Sequence, residues 1–126
     1  MTTTPTLSVT ARTMATDGAV ILAVEGTLDS HTYSTLESKI DRLINHGESR
    51  IIIDLSGVEY LSSAGVRVFL TARLKARNEN GCVVLVNLSE QSKLIIDTLR
   101  IRENLCIAND MADAMKLVAA AILWLR

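Results

Sequence analysis

Leu7, Val9 and Ala11 alternate with polar residues over Leu7 to Thr13, the two-residue period of a half-buried strand. Thr16-Asp17-Gly18 is a turn signal. Ala19 to Val24 is a second, mostly apolar strand, and the short spacing predicts an antiparallel hairpin at one sheet edge. Gly26 is expected to end that strand. The period then changes. Apolar positions at Tyr33, Leu36, Ile40, Leu43 and Ile44 keep helical spacing. Asp29 and Ser30 offer N-cap oxygens, and His46-Gly47 closes the helix, with Gly free to adopt positive φ. Ser34 and Glu37 form an S-x-x-E pattern that lies deeper than a cap should sit.

The alternation repeats downstream. Arg50 to Leu55 is a short β-branched run, as in a strand buried on both faces. A loop containing Gly57 is expected to lead through Val58 to Leu61 into Ser62-Ser63-Ala64-Gly65. A second helix should run to about Asn80, with Val66, Phe69, Leu70 and Leu74 inward and Gly81 as its stop. Cys82 to Val86 is another buried strand. Ser89 caps a short helix with Leu94, Ile95, Thr98 and Leu99 inward, and Leu105 to Ile107 is a brief last strand. Asn109 or Asp110 caps a final helix with Met111, Ala114, Met115, Val118, Ile122 and Leu125 inward. Alternation of this kind implies βαβ crossovers. The expected fold is α/β, a mostly parallel central sheet with an antiparallel edge hairpin and about four helices.

Composition narrows what such a fold could do. At 126 residues there is room for one domain, and 48% apolar with 21% charged residues excludes a disordered tail. Thirteen basic and fourteen acidic residues leave a net charge of −1, against the positive excess of a nucleic-acid binder. Aromatics at 3% leave no platform for base stacking. Arg67, Arg73, Lys75 and Arg77, then Lys93, Arg100 and Arg102, read as solvated helix faces balanced by acids elsewhere. The start has no secretory pattern, and Leu117 to Leu125 is too short to span a bilayer, so a cytoplasmic protein without membrane insertion is expected. The apolar end around Trp124 could pack as core or mediate a homodimer.

Enzyme and metal templates find little purchase. Cys82 and Cys106 have apolar neighbours and no CxxC spacing, so they read as buried free thiols. His31 and His46 lie apart from each other and from any carboxylate pair at ligand spacing, and no metal or cofactor site is expected. There is no G-x-x-x-x-G-K-[ST] loop and no G-x-G-x-x-G after a strand. Ser63-Ala64-Gly65 is half of a nucleophile elbow, but Leu61 stands where its first glycine should be. Ser62 and Ser63 nonetheless fall at a helix start, where unpaired N–H groups and the positive dipole end favour an anion. One serine could simply cap the helix. The other reading is a phosphorylation site, since a phosphate there is tolerated by its own helix and changes the surface by about −1.5 to −2 charge.

Ile51-Ile-Ile-Asp-Leu-Ser-Gly-Val-Glu-Tyr-Leu-Ser-Ser-Ala-Gly-Val66 resembles the central segment of the STAS domain, found in bacterial anti-sigma factor antagonists and in sulfate-transporter tails. Glu25-Gly-Thr-Leu-Asp29 followed by Thr32 is similar to the family's G-x-L-D-x-x-T stretch. The resemblance extends from about Leu7 to Val118 and implies one STAS-like domain over residues 1–126. It implies that Ser63 is the phosphoacceptor, with Ser62 as the alternative; the family commonly has Asp where Ser62 stands. It makes Asp29 an acidic residue near the phosphoacceptor, equally able to cap the first helix. Asp29, Ser62, Ser63, Gly65 and Arg67 are then the candidate partner-binding residues. The implied partners are an anti-sigma factor with serine kinase activity, which binds the unmodified chain, and a serine phosphatase that resets the switch. The chain itself would be no enzyme. The alternative is a non-switching STAS scaffold or the soluble subunit of a lipid transporter.

Overall fold

In a computed structural model, residues 6–13 and 18–124 are described, with side chains described up to residue 120. The order is β1 (Leu7–Thr13), β2 (Val20–Leu28), α1 (Tyr33–Asn45), β3 (Arg50–Leu61), α2 (Ser63–Asn78), β4 (Cys82–Val86), α3 (Glu90–Thr98), a 3₁₀ turn (Arg102–Asn104) and α4 (Met111–Trp124). The sheet order is β1-β2-β3-β4. β1 pairs antiparallel with β2, and the other pairings are parallel. The four helices and the edge hairpin match the α/β expectation.

The β-branched runs divide between two layers because successive strand side chains point to opposite faces. Val20, Leu22, Ile51, Ile53, Val83 and Leu85 turn toward the larger core, which includes Leu36, Ile40, Phe69 and Ile96 of α1 to α3. Ile21, Ile52, Val84 and Val86 turn the other way, onto Ala114 and Val118 of α4. Each fully buried Ile or Leu contributes about 1.5–3 kcal/mol, so the triple isoleucine of β3 anchors both layers.

Both central strands run longer than their glycines suggest. Gly26 (φ +108°) does not end β2, which continues to Leu28. Gly57 lies inside a twelve-residue β3, not in a loop. A Cβ at Gly57 would lie 2.6 Å from Glu25 Cγ. The glycines mark close approach and bulging instead of strand ends. Register shifts fall between Ala23 and Glu25 and again between Gly26 and Thr27, and each leaves an extra residue on β3.

Two helix faces also differ from the expected ones. In α2 the buried stripe is Gly65, Val66, Val68, Phe69, Ala72 and Ala76, while Leu74 is 62% exposed. Small Ala72 and Ala76 fill the inner face where a leucine would need more room. In α3, Ser92 and Ile96 are buried, and Leu94 and Leu99 are exposed. Asn80 (φ 60°), not Gly81, takes the left-handed position after α2, and a Cβ at Gly81 would collide with the Ser49 backbone. The expected strand at Leu105–Ile107 is reduced to one bridge, Leu85 to Ile107. Asp110 caps α4 by accepting from Asp113 N–H at 2.8 Å. Thr16 and Asp17 of the turn signal, and the side chains of Ile122, Trp124 and Leu125, lie outside the described residues.

Candidate functional site

The chain crosses from β3 into α2 at Leu61-Ser62-Ser63, where the bulged β3 ends beside β2. Leu61 pairs with Leu28, and Ser62 N–H donates to the Leu28 carbonyl at 3.0 Å. Ser62 has extended backbone (φ −98°, ψ 170°), and its Oγ accepts from Gly65 N–H at 3.3 Å. That is the N-cap geometry a serine supplies. Its carbonyl accepts from Val66 N–H at 3.1 Å. Its N–H is thus held by β2, while its Oγ and carbonyl accept from the first turn of the helix.

Ser63 is the first residue of α2 and is exposed. Among the described residues its hydroxyl has no hydrogen-bond partner. Spacing alone left the roles of the two serines open, and the geometry divides them: Ser62 caps, and the Ser63 hydroxyl stays free. Gly65 is buried because the helix start sits against both strand ends. A Cβ there would lie 2.6 Å from Leu28 O and 3.0 Å from Leu61 Cδ1.

Ser63 and Arg67 line one open cleft of about 380 Å³ with Ala64, Val66, Leu70, Leu99 and Ile101. Arg67 also borders a second cleft of about 360 Å³ with Ser30, Tyr33, Glu37, Ala64 and Thr71. It makes no ion pair among the described residues. Four other basic residues have partners: Lys75 with Asp41, Lys93 with Glu90, Arg102 with Asp97, and Arg73 with the Asn104 carbonyl.

Asp29 follows Leu28 at the end of β2 but does not cap α1, whose N-cap is Thr32. Asp29 Oδ1 instead accepts from His31 N–H at 2.8 Å and Thr32 N–H at 3.2 Å, closing the turn before the helix. Thr32, buried, donates its hydroxyl to the Thr27 carbonyl at 2.6 Å. The D-x-x-T stretch therefore builds a rigid corner beside the serines, with the remaining carboxylate surface partly open to solvent.

Sequence reasoning missed Gln91, whose side chain holds the Leu61 backbone, and Ile101 on the cleft wall. Gln91 lies 30 residues from its partner, where no local pattern could point to it. Leu99 was assigned to the core and instead faces the cleft.

Asp54 and the two cysteines lie away from both clefts. Burial pushes the Asp54 carboxyl up, but bonds from Ser56 and Asn87 and the nearby Arg12 outweigh it and hold the group below its usual value. Cys82 and Cys106 are free and half-buried, not fully buried. Burial, with Cys106 adding to it, raises the Cys82 thiol to about 11, so it stays protonated and unreactive at neutral pH. Among the described residues no His, Cys, Asp and Glu group could hold a metal, and no helix is long and apolar enough to cross a membrane.

The chain and its fold have counterparts among known proteins. BtrV of Bordetella bronchiseptica, assigned by name to the anti-sigma factor antagonists, is 31% identical over 81 residues, 64% of this chain and 70% of BtrV. An anti-sigma factor antagonist from Mycobacterium paratuberculosis has the same fold, with a TM-score of 0.80 at 23% identity over 90% of this chain and 95% of that one. So does the anti-sigma factor antagonist SpoIIAA in its unphosphorylated form, with a TM-score of 0.73 at 21% identity over 90% of this chain and 97% of that one. SpoIIAA has also been solved in its phosphorylated form, with a TM-score of 0.65 at 21% identity over 88% and 99% of the two chains. The STAS domain model matches residues 10–114, and the chain belongs to the STAS domain family.

Proposed function

We propose that this chain is an anti-sigma factor antagonist that works by partner switching, with Ser63 as the phosphoacceptor. The observation that carries this reading is the division between the serines: Ser62 Oγ accepts in the cap, while the exposed Ser63 hydroxyl lines the cleft with no partner among the described residues. The relatives named for anti-sigma factor antagonism and the two solved forms of SpoIIAA support it.

Unmodified, the protein binds an anti-sigma factor that is also a serine kinase, and so frees the sigma factor. Asp29, Ser62, Ser63, Gly65 and Arg67 lie in or beside the bound surface, and Val66, Leu70, Leu99 and Ile101 supply apolar contact in the cleft. The kinase brings its own ATP and Mg²⁺. It transfers the γ-phosphoryl group to Ser63 Oγ, the hydroxyl proton leaves, and ADP is released. The phosphate adds about −1.5 to −2 charge to a chain of net −1. The α2 dipole and Arg67, four residues on, favour it within the folded chain. A desolvated partner surface without a matching cation does not. The complex weakens, and a serine phosphatase restores the first state. The protein acts in the cytoplasm as a binding module, not as an enzyme, and residues 1–126 act as one STAS unit.

The test is incubation with the cognate kinase, ATP and Mg²⁺, followed by mass spectrometry. Phosphate is expected on Ser63. Ser63→Ala should bind the kinase persistently, and Ser63→Asp should bind it weakly. Phosphate on neither Ser62 nor Ser63 would sink the proposal. The second reading, a non-switching scaffold or the soluble subunit of a lipid transporter, is favoured by Ser62 standing where the family commonly has Asp. Recovery of a membrane transporter in place of a sigma-regulating kinase, in affinity capture from native cells, would support it.

A further inference from the structure

Gln91 is the second residue of α3. Its Oε1 accepts from Leu61 N–H at 2.9 Å, and its Nε2 donates to the Leu61 carbonyl at 2.8 Å. The sheet explains why these groups need a partner. β4 pairs with β3 only from Arg50 to Asp54, so among the described residues no strand lies beside Leu61 on that edge. Leu61 is fully buried, and an unmatched N–H and C=O there would each cost about as much as a lost hydrogen bond. A carboxamide has the donor and acceptor of a peptide unit. The Gln91 side chain therefore stands in for one residue of a missing strand.

We infer that Gln91 is a positioning residue for phosphoryl transfer, fixing which of the two adjacent hydroxyls is presented. The inference rests on the phosphoacceptor reading of Ser63. Leu61 is held by α3 on one flank, and the next residue, Ser62, is held on the other by the Leu28 carbonyl. Two consecutive residues pinned from opposite sides allow no slip. A slip of one residue that carries Leu61 into the cap position would bring Ser62 to the helix start where Ser63 stands and carry Ser63 one place into the helix. The same α3 is followed by Leu99 and Ile101, which form the far wall of the Ser63 cleft. One segment thus sets both the register of the acceptor and the wall beside it.

The test uses the full chain and two variants. Gln91→Met keeps the length and removes both bonds; Gln91→Glu keeps an acceptor and loses the donor. Backbone amide exchange is followed by NMR. Labelling uses ATP, Mg²⁺ and a soluble extract of the source cells, with the split between Ser62 and Ser63 read by mass spectrometry. In Gln91→Met the Leu61 and Ser62 amides should exchange about tenfold faster, while those of α1 and α4 keep their protection. The initial rate at Ser63 should fall about tenfold and label should move toward Ser62, with Gln91→Glu between the two. A merely structural bond would lower stability without changing the split. Unchanged exchange at Leu61 overturns the clamp. Faster exchange with the wild-type rate and split overturns the positioning role. A wild-type chain that takes no label overturns the phosphoacceptor reading and the positioning role with it, and the exchange data, which need no kinase, distinguish this from loss of the clamp.

Discussion

α2 and α3 begin in the same way and are left in different electrostatic states. Ser62 accepts from Gly65 N–H at 3.3 Å, and Ser89 accepts from Ser92 N–H at 3.1 Å, so both helices use a serine cap three residues ahead of its donor. The next residue separates them. α3 continues with Glu90, whose carboxylate answers the positive end of its own helix. α2 continues with Ser63 and has no acidic residue in its first turn. The cap satisfies one N–H in each case, but only α3 also carries an acidic side chain in its first turn, one that it shares with Lys93. α2 leaves room for an anion supplied from outside, at the one hydroxyl its cap does not use.

The comparison can be broken most severely at the third helical position. There α3 has Ser92 and α2 has Gly65, both buried. Gly65→Ala sets a methyl group 2.6 Å from the Leu28 carbonyl, with backbone on one side and a packed leucine on the other. A loss of about 3 kcal/mol in denaturant unfolding is expected, since neither neighbour can yield freely. Removing the caps should have a smaller and equal effect. Ser62→Ala and Ser89→Ala should each cost about 1 kcal/mol by thermal unfolding. Ser63→Ala should stay within about 0.5 kcal/mol of the native chain, because its hydroxyl bonds to nothing among the described residues. A Ser63→Ala loss as large as that of Ser62→Ala would mean that the two serines share the cap.

Much of this contrast was legible in the residues. Period-two and helical spacing located the strands and helices, because burial on a face imposes those periods. Ser89 and the Ser62-Ser63 pair stood at recognisable helix starts. Spacing did not decide which of two adjacent serines caps, because that depends on where bulged β3 ends against β2. Gly26 and Gly57 read as breaks although both lie inside strands; a glycine that admits a neighbouring backbone looks the same in sequence as one that ends an element. Leu74, Leu94 and Leu99 read as core on hydrophobicity, yet the positions that turn inward are Ala72, Ala76 and Ile96. Gln91 was silent because its partner is a backbone left unpaired by a strand that is too short.

The smallest expected effect tests the electrostatic half of the comparison most directly. Ser63→Asp gives α2 the acidic first residue that α3 already has, and Glu90→Gln removes it from α3. The first should stabilise the chain by about 0.5 kcal/mol and the second should destabilise it by a similar amount, both at low ionic strength. Both changes should shrink as salt is added, because these positions are exposed and the interaction is screened. Binding should respond differently from stability. Ser63→Asp should weaken capture of the proposed kinase partner while raising the melting temperature, whereas Glu90→Gln should lower the melting temperature and leave capture unchanged. A stabilised Ser63→Asp chain that still binds fully would mean that charge at this helix start is not what the partner reads. A destabilised one would mean that the start of α2 is not open to an anion, and that its difference from α3 lies in sequence alone.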